Sequence, residues 1–329
     1  MKDIHGRNID YIRISVTDRC NLRCLYCMPE DGVASVGHEK ILSFDEIIRL
    51  MRISAGLGIK KVKITGGEPL VRKGIAGLIA DIKKIEGIEQ VTMTTNGILL
   101  EENLKELAAA GLDGVNISLD TLSPEKYSQI TRREGLEKVL SSLRACAKYP
   151  NLAVKINAVT LADYNYDEIE SLAALAKDYI ADIRFIEIMP VGLGKEYRGY
   201  NQDIILERLT AAFGEPQQDE EKRGNGPAVY YKFSGFRGSV GFISALSHSF
   251  CGSCNRIRLT SEGFLKSCLN FAEGADLRTV MREGATDEKL KTIISECIVS
   301  KPAGHCFGTE DVDKAGHKKD SRRMSAIGG

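Results

Sequence analysis

The chain has 329 residues, 43% of them apolar, enough to bury the cores of one large α/β domain and a smaller one. Lys plus Arg equals Asp plus Glu at 45 each, so no global field draws nucleic acid or an anionic membrane, and a bound anion must meet a local cluster of cations. The opening residues Met1 to Arg7 do not resemble a signal peptide, and no run reaches the ~20 apolar residues of a membrane span; a cytoplasmic protein is expected, with no nucleic-acid and no membrane partner.

Taken in chain order, the first strand is predicted at Tyr11–Val16, and Cys20, Cys24 and Cys27 follow it at once. In a reducing compartment such a group reads as metal ligands rather than disulfides. A tight loop can turn three thiolates onto one four-iron cubane and leave one iron open to a small molecule. Zinc also accepts thiolates at such spacings, but a structural zinc site takes four ligands, and the nearest downstream histidine is His38.

Ser43-Phe44-Asp45-Glu46 has the capping-box pattern and predicts a helix to about Ala55. Further strands are expected at Lys61–Ile64, Gln90–Thr94, Gly114–Leu119, Ala153–Val159 and Asp182–Ile188, with helices at Glu102–Ala109, Leu136–Ala147 and Asp167–Lys177. Six βα units in a row imply a parallel sheet with right-handed crossovers. Six is fewer than a closed barrel needs, so an open, partial (β/α)6 TIM-like barrel is expected.

The pattern changes near Gly192. One more helix is predicted at Asn201–Phe213, then a polar stretch, Asp219 to Pro227, marks a boundary. Residues 1–226 are expected to form the core domain and 227–329 a smaller C-terminal α+β domain. The latter holds hairpin strands at Val229–Phe233 and Ser239–Ile243, and helices near Leu277–Glu283 and Asp287–Val299. It also carries a second cysteine group, Cys251, Cys254 and Cys268. His248 is the residue that would complete a zinc site there. Arg256 and Arg258 follow; on a strand, alternation puts both guanidiniums on one face, a pair of forks suited to a phosphate chain. Cys146, Cys297 and Cys306 stand alone and read as ordinary thiols. The sequence ends in a basic stretch and Gly328-Gly329, a composition that by itself reads as a frayed terminus.

The first triplet, with Tyr26 before its third cysteine and Gly66-Gly67-Glu68-Pro69 after the second strand, resembles the radical S-adenosylmethionine (SAM) superfamily. Together with Thr94-Thr95-Asn96-Gly97, the second triplet, Arg256-Ile257-Arg258 and the Gly-Gly end, the arrangement resembles the radical SAM GTP 3′,8-cyclase family of molybdenum-cofactor biosynthesis. That resemblance implies the radical SAM type of barrel, two [4Fe-4S] clusters (Cys20, Cys24 and Cys27; Cys251, Cys254 and Cys268) and SAM. It implies that Tyr26, Gly67, Ser118 and Met189 meet SAM, although a strand Ser and a Met near a strand end would otherwise read as packing residues. It implies GTP contacts from Arg13, Lys63, Thr94, Lys155, Arg256 and Arg258, with Lys61 and Arg184 as weaker candidates. Arg256, Arg258, Gly328 and Gly329 would assist turnover, the Gly-Gly end threading into the active site. Lys63 stands where relatives often carry Arg, and loses the planar fork.

The reaction so implied makes a 5′-deoxyadenosyl radical from SAM, removes H3′ of GTP and joins C3′ to C8. The product, (8S)-3′,8-cyclo-7,8-dihydroguanosine 5′-triphosphate, would pass to a cyclic pyranopterin monophosphate synthase. A flavodoxin or ferredoxin as electron donor and a homodimer are further expectations. The rivals are a peptide-modifying radical SAM enzyme with an auxiliary cluster, and a non-catalytic scaffold with zinc in both triplets.

Overall fold

The computed structural model describes all residues except 34–36, 222–223, 308–311, 313–315 and 329, and the side chain of His38. Among the described residues twelve strands form one sheet. They are β1 (Tyr11–Ser15), β2 (Lys61–Thr65), β3 (Gln90–Thr95), β4 (Gly114–Ser118), β5 (Ala153–Thr160), β6 (Asp182–Glu187), β7 (Gln217–Asp219), β8 (Val229–Lys232), β9 (Val240–Ile243), β10 (Arg256–Leu259), β11 (Phe264–Lys266) and β12 (Ala275–Asp276). The helices are α1 (Phe44–Gly56), α2 (Ile75–Lys83), α3 (Leu100–Ala109), α4 (Pro124–Thr131), α5 (Leu136–Cys146), α6 (Ile169–Asp178), α7 (Gln202–Phe213), α8 (Leu277–Arg282), α9 (Asp287–Val299) and α10 (Met324–Ile327).

The six predicted βα strands lie side by side in chain order, every neighbouring pair parallel. The last third of the chain extends this sheet at both flanks. There β10 pairs parallel with β1, and β9 pairs parallel with β6. Eight contiguous strands are therefore parallel, two more than the βα alternation reveals, and antiparallel β11–β12 and β8–β7 finish the open ends. β8 and β9 form the expected hairpin.

Val, Ile and Met side chains from β1 to β6 (Ile12, Ile14, Val62, Ile64, Val91, Met93, Val115, Ile117, Ile156) are essentially unexposed and pack against the apolar stripes of the helices. Ser43 and Glu46 make the capping box of α1 reciprocally. Three helices stand where no periodicity marked one: α2, whose N-cap Gly74 lies in the left-handed region with no side-chain cap, the eight-residue α4, capped by Ser123 with Pro124 at its first position, and the four-residue α10. Among the described residues no helix is long and apolar enough to cross a membrane.

Candidate active site

Because strand side chains alternate, Tyr11 and Arg13 of β1, Lys63 and Thr65 of β2, and Arg256 and Arg258 of β10 face one hollow. Register then decides what they meet. Arg13 lies opposite Arg258 on one side and opposite Lys63 on the other, and Lys63 lies opposite Thr92. Arg258, Arg13 and Lys63 thus form a lateral row of basic residues on three neighbouring strands, whose backbones lie ~4.8 Å apart. Like charges in such a row repel. Burial, with the charges of Arg184, Arg13 and Lys155 around it, pushes the Lys63 ammonium well below its ordinary value.

The hollow is a cavity of about 580 Å³. Arg13, Lys63, Lys155, Arg184, Arg256 and Arg258 line it, as do Thr94 and the first cysteine triplet. Some of these cations already have partners. Lys155 Nζ lies 3.5 Å from the Asp182 carboxylate, and Arg184 donates twice to Asn157 Oδ1 at 2.9 and 2.6 Å. Arg256 sits over the Phe250 ring at 5.0 Å. Arg258 Nη1 donates to the carbonyl of Gly328 at 2.5 Å, which brings the end of the described chain into the site. Gly328 has φ +74, and a Cβ there would come 3.0 Å from that of Ser15, so glycine suits both the conformation and the space. Gly329 lies outside the described residues. Lys61, a weaker GTP candidate, does not line the cavity; its ammonium pairs with Asp10 at 3.1 Å.

Tyr26, Gly67, Ser118 and Met189 line the same cavity as Cys20, Cys24 and Cys27. The loop of the triplet is held by backbone. Arg23 N donates to Thr131 O and Leu25 N to Ile130 O, each at 2.9 Å, while Arg132 Nη1 reaches the carbonyls of Arg23 and Met28 at 3.2 Å. Arg132 is the one non-glycine residue among those described with positive φ, at +53. Gly66-Gly67 presses against the same loop. A Cβ on Gly67 would come 2.3 Å from Arg19 O, and its N–H donates to Thr17 O at 2.7 Å. The buried Glu68 carboxylate accepts from Leu70 N, Thr95 Oγ1 and Asn96 N, tying the turns after β2 and β3 together. Burial nonetheless raises Glu68 to about 7, against these hydrogen bonds. The Tyr26 hydroxyl donates to Asp120 at 2.7 Å, and Asp120 also accepts from Val159 N at 2.8 Å. Burial lifts Asp120 to about 6. Sequence reasoning missed Glu68 as a tie, Asp120 and Arg132, because their partners come together only in the fold.

The residues present fit the groups that the resemblance implies. All nine cysteines are free. Among the described residues no three His, Cys, Asp or Glu side chains converge as on a single metal ion, whereas a cubane carries its thiolates on separate irons. Burial holds the thiols of Cys20 and Cys27 up at about 11 and about 12, so ligation there would release protons. Burial also raises the Cys254 thiol, but the charges of Arg256 and Lys301, with hydrogen bonds from Arg256, outweigh it and hold the group near about 6. Thr94 Oγ1 and the Tyr127 hydroxyl are buried on the cavity wall with no hydrogen-bond partner among the described residues, two polar atoms turned toward something the cavity would contain. The second triplet sits beside this wall rather than on it; Arg256 and Leu269 next to its members do line the cavity. His248 is exposed and lies 3.6 Å from Asp203, outside any cysteine group. Cys146 and Cys297 are buried, and the Asn270 amide lies 3.2 Å from Cys306 Sγ.

A parallel sheet with a cysteine triplet at the mouth of its first strand is what the resemblance to the radical SAM class leads one to expect. Residues 14–176 match the Radical SAM superfamily and residues 181–307 match Molybdenum Cofactor Synthesis C. The chain is 49% identical over 329 residues to the GTP 3′,8-cyclase of Clostridium perfringens (strain 13 / Type A), and 46% identical over 334 residues to that of Heliobacterium modesticaldum; both alignments cover all of each chain. The chain belongs to the GTP 3′,8-cyclase family, whose radical SAM class uses SAM and an iron–sulfur cluster. In fold it is similar to Streptococcus suis SuiB crystallised with S-adenosylmethionine, at TM-score 0.62 and 16% identity over 91% of this chain and 73% of that one.

Proposed function

We propose that the chain converts GTP to (8S)-3′,8-cyclo-7,8-dihydroguanosine 5′-triphosphate, the first step of molybdenum-cofactor biosynthesis. The observation that carries this reading is the row Arg258–Arg13–Lys63 in the same cavity as Cys20, Cys24 and Cys27. Basic side chains set side by side on three neighbouring strands suit a polyanion, and a triphosphate is one. A peptide substrate gives no reason for such a row.

The first triplet would hold one four-iron cluster, and Cys251, Cys254 and Cys268 a second one. Held by Cys20, Cys24 and Cys27 beside SAM, that first cluster would supply the radical chemistry needed at C3′ of the ribose. Everything else falls to the chain's own residues. Tyr26, Gly67, Ser118 and Met189 line the space for SAM, and Asp120 orients the Tyr26 ring through its hydroxyl. Arg13, Lys63, Lys155, Arg256 and Arg258 bind the triphosphate and fix the ribose, which turns the ring closure between C3′ and C8 into a matter of orientation. Thr94 Oγ1 offers the nucleotide a hydrogen bond that no described residue takes. Gly328, held by Arg258, would assist turnover from within the site. In this reading residues 1–226 carry the radical chemistry and 227–329 the second cluster, although both share one sheet. The product goes to a cyclic pyranopterin monophosphate synthase, a flavodoxin or ferredoxin supplies electrons, and the working form is a homodimer.

The test is anaerobic incubation of the reconstituted protein with SAM, a reductant and each nucleoside triphosphate in turn. Formation of 5′-deoxyadenosine and a cyclised nucleotide with GTP alone is the expected result. SAM cleavage indifferent to the nucleotide, with no cyclised product, would overturn the assignment.

A further inference from the structure

The 316–328 segment reaches the cavity against an electrostatic gradient. It carries Lys318, Lys319, Arg322 and Arg323 and only one acid, Asp320, yet it leads toward Arg13, Lys63, Arg256 and Arg258. Its one helix, Met324–Ile327, has four residues, too few to hold itself. Something else must fix its path.

The structure shows what does. The Asp320 carboxylate meets Lys266 Nζ of β11 in a close ion pair, and the two side chains are 2% and 0% exposed. Arg322 closes on the same carboxylate at 2.8 Å and lies over the Phe264 ring at 4.8 Å. Backbone bonds flank the pair. Ala272 N donates to Lys318 O at 2.9 Å, Asp320 N donates to Asn270 O at 2.8 Å, and Phe271 and Lys319 form an antiparallel bridge. Beyond this anchorage the chain skirts Gly192, where a Cβ would come 2.9 Å from Arg323 Cα, then turns through α10 to Gly328 and its bond to Arg258.

We propose that Lys266 and Asp320 are a positioning pair, a buried latch that sets the register of the 316–328 segment and so delivers Gly328 to Arg258. The proposal rests on the reading that this segment takes part in turnover. A buried ion pair adds little net stability, but it specifies an arrangement, because separating the partners leaves a charge stranded. Here the stranded charge would be Lys266, on the strand that runs toward Cys268. Segment docking and the order of the second cysteine group are thereby linked through three consecutive residues of one connection, Ser267, Cys268 and Leu269.

The experiment compares the reconstituted holoenzyme with D320N and with the double variant K266Q/D320N. The double variant removes both fully buried charges and leaves only Arg322, 36% exposed, to turn to solvent, so it separates the loss of the latch from the cost of stranding Lys266. Three quantities are read: the rate of tryptic cleavage after Lys318, Lys319, Arg322 and Arg323; kcat and KM for GTP; and bound iron. The latch predicts faster cleavage confined to these sites in both variants. It also predicts kcat lower by about tenfold to a hundredfold, as for a displaced catalytic element, with KM for GTP and iron nearly unchanged. A fold held by both variants but a segment still protected from trypsin would overturn the latch at any rate of turnover. A segment released with kcat unchanged would also overturn the positioning role, and would trace the failure to the segment's part in turnover rather than to the ion pair. Should D320N not fold, the double variant alone decides between these outcomes.

Discussion

Lys63 is a lysine whose charge is disfavoured by its surroundings until a ligand arrives. It is 6% exposed, and burial together with Arg184, Arg13 and Lys155 favours the neutral amine. A triphosphate reverses that preference. Binding of GTP is therefore expected to take up a proton on Lys63 at any pH between its lowered value in the free protein and its value in the complex. Affinity should fall as pH rises through that window, since each step upward makes the uptake harder. Calorimetry of GTP binding in buffers of different ionisation enthalpy measures the uptake directly; K63M should abolish it. The same substitution should raise the stability of the ligand-free protein by about 1–2 kcal/mol, the usual trade between a strained site and the fold that holds it. An arginine there would keep its charge throughout, which gives a physical meaning to the departure noted in the sequence.

Elements set which residues meet. On β10 the period-two alternation that puts Arg256 and Arg258 on one face is local and was legible in the sequence. That β10 lies parallel to β1, with Arg258 opposite Arg13, was not, because no short pattern encodes a pairing between the ends of a chain. The two guanidiniums also differ in surroundings, Arg256 against Phe250 and Arg258 against Gly328. Replacing either with Ala is expected to weaken GTP binding by about 1.5–3 kcal/mol, the worth of hydrogen bonds to a charged group. Guanosine binding should barely change, and equal losses for both would assign the arginines to the base. The six βα strands were readable because each is a Val- and Ile-rich run set off by amphipathic sequence. Helix α2 escaped notice since Gly74 offers no capping side chain, and α4 because it is short. Within the site the cysteine groups and glycine turn announce themselves by spacing. Asp120 and Arg132 do not, for each acts on a loop about a hundred residues away in sequence.

At the scale of the whole molecule, the first residues are stitched to the last third of the chain. Arg7 pairs with Asp3 at 2.6 Å and donates to the carbonyls of Cys251, Lys301, Pro302 and Ala303, with both side chains nearly unexposed. Changing Arg7 to Met strands Asp3 and four carbonyls, and is expected to cost about 3–5 kcal/mol. Chemical denaturation of the apoprotein would register it as a lower midpoint.

The same closure bears on how the protein is made. Strand β6 gains its outer neighbour, β9, soon after it is synthesised, but Tyr11 to Ile14 wait for Arg256 to Leu259. While the ribosome works through the intervening residues, β1 stands as an unpaired edge with three free thiols just beyond it. An open edge invites pairing with another chain, and nascent intermediates are where such errors occur. Until Arg256 to Leu259 dock, the outer edge of β1 is thus the point at which the strand order exposes the nascent chain to mispairing.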